Sequence, residues 1–190
     1  MKIHKASRLV VRVLFMVAFG LAAPSLAFAA VCEISRNQVA EVRIGMSRKE
    51  VLSLLSARYA VADVAPRGAT RRVEARPRQN RSSHPIVTVE FDQDRAFLID
   101  SCERCVTREG VGPGLTLGEF QLRYGRGKLD PTDLGYFVSF ARQPGVTFLI
   151  DNQDVPQSLR GLLDDVITPA QEGQILNLNK ATIVAVRVEQ

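Results

Sequence analysis

Apolar residues recur at helical spacing in two places along the chain. Val51, Leu52, Leu55 and Tyr59 fall on one face of a helix over residues 47–58, with Arg48, Lys49 and Ser56 elsewhere on its surface. Leu117, Phe120 and Tyr124 repeat the pattern over 116–124, and Gly125 ends that helix. Both stripes predict core-facing helices. Each opens with a hydroxyl followed three residues later by a glutamate, Ser47 with Glu50 and Thr116 with Glu119. At that spacing the hydroxyl accepts from the third amide of the helix while the carboxylate accepts from the amide of the cap itself.

A period of two follows each helix. Val87-Thr88-Val89-Glu90-Phe91 alternates, Asp92-Gln93-Asp94 has turn chemistry, and a strand resumes over 95–100, which makes a hairpin. Residues 136–140 and 146–151 form a second hairpin around Arg142-Gln143-Pro144-Gly145. Phe97-Leu98-Ile99-Asp100 of the first returns as Phe148-Leu149-Ile150-Asp151 of the second. Residues 59–64 are strand-like too. Further on, Pro156 opens a short helix reaching Val166, with Leu159, Leu162, Leu163 and Val166 spaced for burial. A last strand over 181–188 sets Ile183, Ala185 and Arg187 opposite Thr182, Val184, Val186 and Val188.

These elements predict an α+β fold: two helix-plus-antiparallel-hairpin repeats forming one sheet with the helices on one face. The first repeat spans residues 30–106 and the second 107–190, the latter carrying the C-terminal helix and strand. Gly110-Val111-Gly112-Pro113-Gly114 connects them. It is no phosphate-cradling loop, since no Gly-Lys-Ser/Thr follows and Pro113 has no N–H to offer.

Residues 1–29 change the charge picture. Lys2, Lys5, Arg8 and Arg12 precede an apolar run that ends in Ala27-Phe28-Ala29, the pattern of a secretory signal peptide. Removing it takes four positive charges from a formal +5 and leaves about +1, so the basic character belongs to targeting. Val31 stands before Cys32, where a lipoprotein signal needs Gly, Ala or Ser, which argues against a lipid anchor. After residue 30 no stretch is long and apolar enough to span a bilayer. The expected location is periplasmic or secreted.

With both helix openings placed, a family resemblance emerges. Ile44-Gly45-Met46-Ser47-Arg48-Lys49-Glu50-Val51 resembles the helix opening of the BamE-like (SmpA/OmlA) domain of outer-membrane assembly. Two such units in tandem resemble the architecture of the secreted β-lactamase inhibitor protein. Thr107-Arg108-Glu109-Gly110-Val111-Gly112, running into Gly114-Leu115-Thr116 and Tyr124-Gly125, is similar to a connector of uncharacterised bacterial envelope proteins. The resemblance implies helices packed on antiparallel strands and a role in binding other proteins, with no catalytic residue.

The chemistry available is limited. Cys32, Cys102 and Cys105 would all reach an oxidising compartment, so one disulfide and one free thiol are expected. A bond from Cys32 to the 102–105 region closes a long loop, with Cys102 favoured as the residue nearer the end of the strand. Cys102-Glu103-Arg104-Cys105 has thioredoxin-type spacing, but it follows a strand rather than opening a helix. His84 is the only histidine after the leader, and no serine elbow supports a hydrolase triad. Asp92 and Asp94 read as a hairpin tip. Neither a cofactor nor a metal site is predicted, and the chain is not expected to be an enzyme.

The unusual patch is 66–84, where Arg67, Arg71, Arg72, Arg76, Arg78 and Arg81 face a single acid, Glu74. It reads as a solvated loop or as a contact for an anionic envelope component. Nucleic acid is disfavoured by the lack of stacking aromatics and by the export signal. The leading function is a non-catalytic exported binding or scaffold module contacting a protein or an anionic envelope component. The alternative is a thiol-active periplasmic protein using Cys102 and Cys105.

Overall fold

A computed structural model describes residues 32–64, 70–80, 84–102, 105–162 and 167–190. The expected signal peptide lies outside them. In chain order come β1 (Glu33–Ser35), β2 (Gln38–Val39), β3 (Val42–Arg43), α1 (Arg48–Arg58), β4 (Ala60–Val64), β5 (Arg71–Arg76), β6 (Val87–Asp92), β7 (Arg95–Ser101) and β8 (Val106–Thr107). Then follow α2 (Leu117–Tyr124), β9 (Lys128–Thr132), β10 (Gly135–Ser139), β11 (Val146–Ile150), α3 (Pro169–Leu176) and β12 (Ile183–Glu189). The fold is α+β. Both predicted capping boxes close: Glu50 accepts from the Ser47 amide at 2.8 Å and Glu119 from the Thr116 amide at 2.7 Å.

Eight strands form one antiparallel sheet in the order β4-β5-β6-β7-β12-β11-β10-β9. Strands therefore run inward from both edges in chain order, and β7 meets β12 at the centre. Helices α1 and α2 cover the same face. Phe120 of α2 packs edge-on against Phe148 at 4.6 Å between ring centres. Phe148 shares its face through Val186 and Ser101 with Val87, which lies against Leu55 of α1. Val51, Leu55, Leu117, Phe120, Val73, Val89, Ile99 and Val188 all belong to this buried core.

The two helix entrances dock on the two central strands in the same way. Gly45 N–H donates to the Ala96 carbonyl at 2.7 Å and Ala96 N–H to Met46 at 2.9 Å; Gly114 N–H donates to Ile183 at 2.7 Å and Ile183 N–H to Leu115 at 2.9 Å. Gly45 and Gly114 take φ of +86° and +99° there, which side chains disfavour. Gly112 serves differently, because a Cβ would stand 1.8 Å from the Cys105 carbonyl oxygen.

Several expectations need correction. The strands form two sheets, not one: β3-β2-β1-β8 make a second, small sheet near the N-terminus. Its strands are too short for alternation to reveal them. The helix expected over 156–166 is a single 3-10 turn, Gln157–Leu159; Gly161 follows at φ +73°, and Leu163 and Val166 lie outside the described residues. A third helix, α3, opens instead with its own capping box at Thr168 and Gln171 and a proline at its first position. Part of the arginine-rich stretch is β5, an internal strand. Phe97–Asp100 lies on β7, whereas Phe148–Ile150 lies on β11 with Asp151 just past its end, and the two strands hold different positions in the sheet. Ile183 sits in the core rather than beside Arg187, because a bulge at Leu149 and Ile150 interrupts alternation.

Candidate functional site

The sheet face that carries no helix is crossed by one register whose side chains, apart from Ala62 at one edge, are polar. Ala62, Glu74, Thr88, Asp100, Arg187, Thr147, Ser139 and Lys128 are successive partners across all eight strands. At its centre Arg187 grips Asp100 with two bonds, Nε to Oδ1 at 2.8 Å and Nη2 to Oδ2 at 3.0 Å. The same guanidinium lies 4.4 Å above the Phe137 ring, so its plane is fixed from two sides. This arrangement holds a guanidinium, paired with its carboxylate, in one orientation on the open face.

The predicted arginines are dispersed rather than gathered. Arg72 and Arg76 flank Glu74 on β5 at 3.0 and 2.5 Å, and Glu74 is 7% exposed. Arg78 donates to the Ser56 and Ala57 carbonyls at the end of α1, at 2.5 and 3.2 Å. Arg71 is exposed beside Phe91 and Asp94. Arg67 and Arg81 lie outside the described residues. The strand alternation of 71–76 was hidden because charges occupy both faces at its ends.

Cys32 bonds Cys105, so the favoured partner Cys102 is corrected to the other member of the pair. Register explains the choice. β1 pairs in parallel with β8, Glu33 opposite Val106, which brings the preceding residues Cys32 and Cys105 to 4.3 Å between Cα atoms. Cys102 is free and exposed at the end of β7. Local loss of solvent, with the Asp100 carboxylate adding to it, pushes its thiol pKa up. A reactive thiol needs the opposite shift, and a Cys102–Cys105 couple needs the residue that Cys32 holds.

A half-buried knot ties the connector to α2. The Tyr124 hydroxyl donates to Glu109 at 2.9 Å, accepts from Gln143 at 3.1 Å and lies 2.6 Å from the Thr107 hydroxyl. Burial, helped by Glu109, raises its pKa to about 12. His84 is exposed. Among the described residues no three His, Cys, Asp or Glu side chains cluster as a metal site, and no helix is long and apolar enough to cross a membrane.

No protein-family model and no curated protein sequence matches the chain. Its fold is similar to that in the crystal structure of the uncharacterized protein YfeY from Escherichia coli, with a TM-score of 0.56 and 12% identity over 83% of this chain and 99% of that one. At that identity the likeness concerns the fold alone.

Proposed function

We propose that this chain is a non-catalytic exported binding module of the bacterial cell envelope, built from two copies of a helix-and-four-strand unit, that meets a protein partner on its open sheet face. The observation carrying this reading is the polar row across that face with Arg187 held rigid by Asp100 and Phe137. Arginine fixed at the centre of a surface, with its ordering cost already met, is a typical anchor of protein interfaces. The matching entrances at Gly45 and Gly114 support the two-copy reading. An anionic surface is the weaker partner, since Arg72 and Arg76 are committed to Glu74 and Arg78 to a helix end.

Photo-crosslinking in envelope preparations tests this. A crosslinker replacing Thr88, on the open face, should give a discrete protein adduct that weakens when Arg187 is changed to Ala. One replacing Ser53, exposed on α1, should give none. Equal labelling from both positions, or adducts indifferent to Arg187, would sink the proposal.

A further inference from the structure

The β9–β11 end of the open face differs from its centre. A groove of about 560 Å³ lies there, within the range of small-ligand sites. Arg126, Lys128, Asp130 and Glu189 line it, and none of these charges makes an ion pair among the described residues. Elsewhere on the face, Glu74 is paired with Arg72 and Arg76, and Arg187 with Asp100. Thr147 also lines the groove. It is 9% exposed, and its hydroxyl is buried without a hydrogen-bond partner among the described residues. An unmet buried hydroxyl costs stability unless something satisfies it.

The spacing of these groups specifies a ligand. Lys128, Ser139 and Thr147 are register partners on adjacent strands; the Ser139 hydroxyl donates to the Lys128 carbonyl at 3.4 Å, which leaves the Lys128 ammonium and the unmet Thr147 hydroxyl as the donors suited to a carboxylate. Asp130 stands two residues along β9 from Lys128, on the same face, about 7 Å away at the rise of a strand. An extended dipeptide separates its own amine and carboxylate by a similar two-residue length. We propose that this groove binds a short zwitterionic peptide, its free carboxylate toward Lys128 and Thr147 and its free amine toward Asp130. The inference goes beyond the partner reading, since the groove can fill whether or not a protein docks at Arg187.

The test is titration of the full exported chain with dialanine, followed by backbone amide shifts. Saturable changes at Lys128, Ser139 and Thr147 are expected. Dialanine amide and N-acetyl-dialanine should each bind about tenfold more weakly, the effect of one lost charge-assisted hydrogen bond. Lys128 is exposed, so Lys128→Gln should fold normally and weaken dialanine binding similarly. Thr147→Val removes the hydroxyl at nearly constant shape and should weaken binding without lowering Tm. The proposal is overturned by an absence of saturable shifts, by equal binding of dialanine and its amide, by acetate binding as tightly as dialanine, or by a Thr147→Val variant of raised Tm and unchanged binding.

Discussion

Asp100 and Arg187 stand at equivalent places in the two halves of the sheet and bond to each other. Ala96 receives the first helix entrance and Ile183 the second, and each of the paired residues lies four positions beyond its own entrance contact. These matching positions carry opposite charges, and the two central strands are joined there by an ion pair as well as by their backbone ladder. Arg187 has 15% and Asp100 30% of its side chain exposed. Removing the carboxylate should cost about 1–3 kcal/mol, because the guanidinium keeps its partial burial and loses two charged bonds. Urea unfolding of Asp100→Ala measures this, and a double-mutant cycle with Arg187→Ala isolates the pair.

Loss of the Cys32–Cys105 bond should be costly, since the residues are 73 positions apart. In the chain-entropy model a loop of that size corresponds to about 4 kcal/mol. Cys105→Ala should therefore fall far in denaturant midpoint, while Cys102→Ala should move little. Non-reducing peptide mapping should recover Cys32 with Cys105 and Cys102 as the free thiol.

Alkaline pH should act through Tyr124. Its folded pKa of about 12 exceeds the ordinary value of 10.0, so the folded state holds the proton longer than the unfolded chain does. Its contribution is complete below the unfolded value and is lost as pH rises from about 10 toward 12. Tyr124→Phe should flatten that part of the stability profile and cost about 1–2 kcal/mol at neutral pH, where Gln143 and Glu109 lose their shared partner.

The capping boxes act at the other end of the scale. Hydrogen bonding to Ser47 lowers the Glu50 pKa, and bonding to the Thr116 backbone and hydroxyl lowers that of Glu119. Stability from both is present above the ordinary glutamate range and fades as acid carries each group through its lowered folded value. Thr116→Ala should cost about 0.5–2 kcal/mol, read from thermal melts at neutral pH.

The Glu74 cluster separates a structural from a surface role for the arginines. Replacing Arg72 and Arg76 together by Gln should destabilise by about 1–3 kcal/mol, because Glu74 keeps its burial and loses both charged partners. A merely solvated loop would show no change in Tm.

Helix openings were legible because a cap is a local event: Ser47 with Glu50 and Thr116 with Glu119 need only four residues to declare themselves. The same signal at Thr168 and Gln171 is overshadowed by the helical spacing of Leu159 and Leu162, which Gly161 at φ +73° interrupts. Hairpins with short turns were legible for the same reason. Strands β5 and β9 were not, since one alternates charge with small apolar groups and the other contains Pro131. The candidate site was the least legible part. Nothing local says that Arg187 lies between Asp100 and Thr147, because that row exists only when strands far apart in sequence come into register.

The position of β12 sets the order in which this molecule can become whole. It is the last strand formed along the chain, yet it lies in the middle of the sheet, pairing Val188 with Ile99 on one side and Val186 with Phe148 on the other. Until it arrives, β7 and β11 are both raw edges with unmet backbone groups, and the two halves share no ladder. Such edges invite pairing between chains. Assembly of the two halves is thus deferred until the last strand is available, and a chain cut short before residue 183 would be left as two separate half-sheets, each with an adhesive flank.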